Sequence, residues 1–169
     1  MKIGSFDFPE QLVFDNHTMR LNGGGERVKF FVKLYAMSFY SSSPILNSQE
    51  AIKSDIPRCV RMVLTTPLVT NSLLSESIFT GYKRSTNNNI ELIKDYINSM
   101  LKALTSTTIK YGDYFDIVYT PELGMSFYKN DEFLGGGNKD SFMKESTFAI
   151  WLADNTSDLG LRKKMLKGF

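Results

Sequence analysis

Between Arg27 and Ser41 apolar side chains recur so densely at every second position that this segment constrains the fold more than any other. Val28, Phe30, Val32, Leu34, Ala36, Ser38 and Tyr40 form one nearly apolar face, which belongs against a core. The other parity, Arg27, Lys29, Phe31, Lys33, Tyr35, Met37 and Phe39, is polar at its start and apolar at its end. A strand so apolar on its second face needs a cover there as well, of helix or of ligand. A layered protein follows.

The remaining segments sort by their periods. Gln11 to Asn22 reads as a strand ending in a Gly23-Gly24-Gly25 turn, and Arg58 to Thr66 as a strand with Val60, Met62 and Leu64 on one side. Asn47 to Ser54 reads as a short helix. From Thr70 the period lengthens: Thr70 or Asn71 can cap a helix carrying Leu74, Ile78 and Tyr82 at i+4 spacing. A second helix carries Ile90, Ile93, Ile97, Met100, Leu101 and Leu104, joined to the first through the polar run Ser85 to Asn89. Tyr111 to Tyr119, Met125 to Lys129 and Glu132 to Leu134 read as strands, the last two joined at Asn130-Asp131, residues that tolerate positive φ. Asp140 or Ser141 caps a helix through Trp151, and Leu159 to Lys167 forms a last one, basic toward its end. Strands, helices, strands, helices in that order predict an α+β protein. Its antiparallel sheet would carry helices on one side, in a single domain over residues 1–169.

Composition narrows the function classes. With 20 Lys+Arg against 18 Asp+Glu the charge is nearly balanced, which leaves no electrostatic footprint for nucleic acid. One cysteine, Cys59, and one histidine, His17, give almost nothing from which to build a metal or haem site, and no cofactor is expected. No apolar run reaches the roughly 18 residues that would span a bilayer; Lys29 and Lys33 interrupt the greasiest stretch.

Few residues invite chemistry. Neither Gly23 to Gly25 nor Gly135 to Gly137 has the context of a phosphate-binding loop, so both triplets read as turns. His17 has no nucleophile beside it, Cys59 reads as a small buried hydrophobe, and Asp113 and Asp116 read as solvated surface. Arg27 stands out. It follows a glycine turn at the start of a strand that becomes apolar, and a guanidinium at the mouth of an apolar groove suits a carboxylate.

A collinear set of short motifs runs from about residue 3 to the C-terminus. It comprises Leu21-Asn22-Gly23-Gly24-Gly25-Glu26-Arg27, Lys33-Leu34-Tyr35-Ala36 with Tyr40, and Phe79-Thr80-Gly81-Tyr82-Lys83-Arg84-Ser85-Thr86-Asn87. Lys110-Tyr111-Gly112-Asp113, Tyr119-Thr120-Pro121 with Gly124, and Ile150-Trp151-Leu152-Ala153 with Leu161 and Met165-Leu166 complete it. This set resembles the chalcone isomerase family, and more closely its bacterial chalcone isomerase-like branch. The resemblance implies an open-faced β-sandwich, a large antiparallel sheet packed against a layer of helices with a ligand cleft between them.

In the plant enzymes of that family an arginine after a similar glycine-rich segment polarises the substrate ketone while a phenolate adds to the enone, closing a flavanone ring. Arg27 matches it. The family's threonine after the lysine falls here at Tyr35, its helical tyrosine and asparagine near Leu73 and Thr80, and its later threonine near Ile150. Leu and Ile cannot orient a substrate or water by hydrogen bonding, so the resemblance with these departures points away from stereospecific cyclisation. Other members of the fold are non-catalytic fatty-acid-binding proteins in which an arginine and a tyrosine hold the carboxylate.

The expectation is therefore a binding module for a fatty acid or similar apolar carboxylate, anchored by Arg27. The alternative is an intramolecular lyase acting on a chalcone-like enone, with Arg27 as electrophilic stabiliser and Tyr35 as proton donor or water orienter. A third reading is a filled core acting through a partner. Arg27 and Tyr35 would lie roughly 26 Å apart on an unbroken strand, and can share one head group only if a hairpin or bulge folds the segment back. On a straight strand Arg27 alone holds the head group, and Phe31, Tyr35, Met37 and Phe39 line the path of the tail. The resemblance further implies an exported, periplasmic protein, with the cytoplasm as the alternative. Oligomeric state is left open.

Overall fold

A computed structural model describes residues 1–169. Nine strands form: β1 (Lys2–Ile3), β2 (Phe6–Asp7), β3 (Gln11–Phe14), β4 (His17–Lys29), β5 (Val32–Ser41), β6 (Arg58–Leu64), β7 (Tyr114–Thr120), β8 (Gly124–Lys129) and β9 (Glu132–Asn138). The helices are α1 (Ser48–Lys53), α2 (Asn71–Ser85), α3 (Lys94–Thr105), α4 (Ser141–Leu152) and α5 (Leu159–Met165), with a 3-10 turn at Ile90–Ile93 leading into α3. Strands β3 to β9 pair antiparallel in sequence order, and β1 and β2 form a separate hairpin. The α+β architecture expected from the order of periods is the one observed. No helix is long and apolar enough to cross a membrane.

Local chemistry places the helices where the sequence puts them. Asn47, Thr70 and Asp140 each accept a hydrogen bond from a first-turn amide, and Leu74, Ile78 and Tyr82 of α2 are buried at their i+4 spacing. The inner face of the sheet supplies Met37, Phe39, Val60, Met62, Leu64, Phe115, Ile117 and Phe127 to one continuous core with α2, α3 and α4. On the outer face Ala36 and Val63 pack with Ile3 and Phe8, and Tyr40 and Cys59 with Leu12, Met19 and Val118. Strand β5 is thus covered on both sides, as its two apolar parities require. Its second cover is the N-terminal segment and the curl of the sheet. Val28 and Phe30, expected on the same core face, are exposed because the chain turns there instead of continuing as one strand.

Several local expectations fail, each for a tertiary reason. Gly23 to Gly25 are not a turn: β4 continues through them, and the chain reverses instead at Asp15-Asn16 and at Phe30-Phe31. A Cβ on Gly23 would lie 2.2 Å from the Lys164 carbonyl oxygen and one on Gly25 2.7 Å from the Lys164 side chain, so the bare strand exists to let α5 lie on it. Asn22, at a bulge, fastens that contact by donating to the Ile45 and Met165 carbonyls at 2.8 and 2.7 Å. Gly135 to Gly137 are likewise strand, within edge strand β9.

Asp113 and Asp116 are buried rather than solvated. Arg61 grips Asp116 through two bonds of 2.7 and 2.6 Å, and Asp113 accepts from Asn130 and the Lys110 amide beside Lys129. Burial raises the Asp116 carboxyl against the opposing pull of Arg61.

Candidate functional site

The hairpin at Phe30-Phe31 decides the geometry of the site. Because β4 turns back into β5, Arg27 and Tyr35 become direct cross-strand partners, beside a bulge between Arg27 and Val28. Paired residues stand about 5 Å apart and present their side chains to the same face, so the long separation of an unbroken strand does not arise. Both side chains line a cleft of about 460 Å³ between the sheet and helices α2 and α4. That size falls within the usual range for small-molecule sites.

The cleft has a charged mouth and an apolar floor. Arg27, Lys29 and Arg84 bring positive charge to its wall against the carboxylate of Glu76, while Met62, Leu74, Ile78, Ile150 and Trp151 supply apolar surface. Leu73, Thr80 and Ile150, the positions matched to the family's polar groups, all reach the cleft. The other expected lining residues do not. Phe31 is fully exposed at the hairpin tip, and Met37 and Phe39 are completely buried in the core, so neither the tail path along β5 nor the straight strand behind it exists.

Arg27 is not a free cation. Its guanidinium lies 2.8 Å from a carboxylate oxygen of Asp158 and donates to the carbonyl and hydroxyl of Ser157, each at 3.3 Å. Asp158 is itself the N-cap of α5, accepting from the Leu161 amide at 2.9 Å. Burial opposes its ionisation, but the hydrogen bonds from Arg27 and from the Leu161 and Gly160 amides outweigh burial and hold it below the usual carboxylate range. The glycine triplet is the origin of this arrangement. By letting α5 lie on β4 it brings the cap of that helix to the arginine two residues beyond Gly25.

Arg84 is the cation that sequence reasoning passed over. It projects from the last turn of α2 into the cleft, donates to the Ile150 carbonyl at 3.4 Å, and has no ion pair. Its place in the Gly81-Tyr82-Lys83-Arg84 run was visible, but not that a carboxylate would neutralise Arg27 and leave Arg84 unpaired. Burial pushes the Tyr35 hydroxyl above its ordinary value against the positive charge of Arg27, so it stays protonated at neutral pH and can donate.

Gly81 sets the width of the cleft. A Cβ there would lie 2.7 Å from Ile150 Cγ2, so the glycine lets α2 and α4 close on each other. Beneath the floor a small enclosed void shares Met62, Ile78, Ile150 and Trp151 with the cleft and extends toward Met100 and Phe127. Flexible methionines there can give way to a long apolar group.

A fatty-acid binding protein of Arabidopsis thaliana has a similar solved structure, with a TM-score of 0.74 at 15% identity over 96% of this chain and 92% of that one. At that identity the likeness establishes the fold. A search of curated proteins by sequence found no match. The family profile described as chalcone isomerase-like matches residues 1–167. That match spans nearly the whole chain, and with the shared fold it makes this protein a member of the chalcone isomerase-like family.

Proposed function

We propose that this protein binds a fatty acid or a similar apolar carboxylate in the cleft between sheet and helices, without chemical conversion. The observation that carries the reading is an unpaired cation, Arg84, beside a protonated Tyr35 hydroxyl at the mouth of an apolar floor. A carboxylate there accepts from both groups while its tail lies over Met62, Ile78, Ile150 and Trp151. Arg27, already matched by Asp158, assists as a second cation rather than acting alone. The similar Arabidopsis protein is named for binding fatty acids, which supports the same ligand class here. Leu73 and Ile150 put apolar groups where a cyclising enzyme of the family would orient substrate and water, and this favours binding over the lyase reading.

Isothermal titration with a long-chain fatty acid and its methyl ester tests the proposal. Expected are saturable binding of the acid, weaker binding of the ester, and a loss of about tenfold in acid affinity for Arg84→Gln, as for a charge-assisted hydrogen bond. Equal affinity for acid and ester would remove the carboxylate anchor, and no binding of either would remove the reading. Turnover of a chalcone by the parent protein, lost in Arg27→Ala, would instead establish the lyase. An exported bacterial setting belongs to the same proposal, supported by the resemblance of the sequence to that branch and tested by fractionating the cells that make it.

A further inference from the structure

The β4–β5 hairpin ends in a feature that packing does not explain. Phe30 and Phe31 are 85% and 102% exposed, and their φ angles of 51° and 65° lie in the left-handed region, which bulky residues rarely occupy. The two other hairpin turns with positive φ use Asp15-Asn16 and Asn130-Asp131, residues that accept it. Here two aromatic rings are held at a strained turn and left largely to solvent. Lys29 and Lys33 flank them; Lys33 pairs with Glu26 at 3.0 Å, while Lys29 stands 5.5 Å from the Phe30 ring and also lines the cleft.

Other apolar groups gather at the same end. The Thr65 amide and hydroxyl donate to the Leu34 and Lys33 carbonyls, which lays the segment after β6 beside the base of the hairpin. That segment leads to Leu68, 62% exposed, and on to Leu73, 54% exposed at the rim of the cleft. A narrow aromatic tip flanked by lysines does not offer the broad, complementary surface of about 800 Å² per side that a stable protein partner requires. Rings that enter at headgroup depth with lysines against phosphates are what an anionic bilayer accepts.

We propose that this end of the molecule docks on an anionic phospholipid bilayer, with Phe30 and Phe31 inserted and Lys29 against lipid phosphates, so that the cleft takes up its ligand from the membrane. The docking stands on the hairpin alone; the uptake rests on the carboxylate-binding reading of the cleft.

Vesicle co-sedimentation tests it, using phosphatidylcholine vesicles with and without phosphatidylglycerol. The parent protein is expected to sediment with the anionic vesicles, and Lys29→Gln to lose about fivefold in that affinity. The double variant Phe30→Asn with Phe31→Gly suits the turn better and should melt no lower than the parent, yet lose about tenfold in partition for each ring removed. Its binding of fatty acid from water should match the parent's, while its uptake from vesicles slows. Vesicle binding that depends on the two rings in a protein whose cleft takes no fatty acid would keep the docking and remove the uptake. Absence of vesicle binding by the parent, equal binding by the double variant, or a ring-dependent dimer without lipid affinity would each overturn the docking.

Discussion

Replacing Asp158 by Asn isolates the electrostatics of the cleft mouth, because Asn keeps the side-chain oxygen that caps α5 and removes only the charge. In the parent, a ligand carboxylate drawn toward Arg27 meets Asp158 on the same guanidinium, with Asp158 Oδ2 already 2.8 Å from it. Two carboxylates sharing one guanidinium stand about 5 Å apart, a repulsion of about 3 kcal/mol at an effective dielectric of about 20. Both side chains are roughly a fifth exposed, and solvent screening there reduces the usable part to about 1 kcal/mol. Asp158→Asn should therefore bind a fatty acid about fivefold more tightly at neutral pH, with methyl ester affinity unchanged. Lowering the pH does not mimic the substitution: the Asp158 carboxyl lies below the usual carboxylate range, so a fatty acid is protonated before Asp158 is. Titration calorimetry of both ligands against parent and variant gives the answer. Unchanged or weaker acid binding in a variant that melts normally would refute the idea that Asp158 holds Arg27 back.

Gly81→Ala should gain about 1 kcal/mol in helix propensity but force Ile150 aside from a contact of 2.7 Å, for a net loss of about 1–2 kcal/mol and weaker ligand binding. Thermal melts and titrations check it, and in an Ile150→Ala background, which lacks the conflicting Cγ2, the Gly81→Ala step should no longer destabilise; a penalty that persists there would place the clash elsewhere. Arg61→Met strands the buried Asp116 carboxylate and should cost about 3–5 kcal/mol in urea unfolding, most of it returned by Asp116→Leu in the same chain. A double variant no more stable than Arg61→Met would show that the pair is not an isolated unit. Burial opposes ionisation of Asp113, but its bonds from Asn130, the Lys110 amide and Lys129 outweigh it and lower its carboxyl. Its contribution to stability is full above the ordinary carboxylate range and is lost as the pH falls through the depressed folded value. Urea midpoints measured across acid pH should fall less steeply for Asp113→Asn than for the parent, and parallel curves would exclude that role.

Periodicity and capping made the helices readable, since those are local properties: Thr70 and Asp140 cap where their side chains can reach a nearby amide, and Leu74, Ile78 and Tyr82 share a face because of helical geometry. Arg27 was legible as a residue of the cleft from its place beside the glycine triplet and an apolar strand, and Leu73, Thr80 and Ile150 through the resemblance. Phe30-Phe31 was not readable as a turn, because neither residue favours the left-handed backbone it adopts. The glycine triplet was misread because glycine signals a turn locally, whereas its purpose here is the approach of α5 from the other end of the chain.

By itself the sequence determined the element types, the apolar faces of β5 that had to be covered and the cation near the end of β4, all consequences of short-range periods and side-chain reach. Only the tertiary structure decided which charges are free. Ion pairing depends on what the packed elements bring within a few ångströms, and here that contact neutralises Arg27 with the cap of α5 and leaves Arg84 unpaired over the apolar floor.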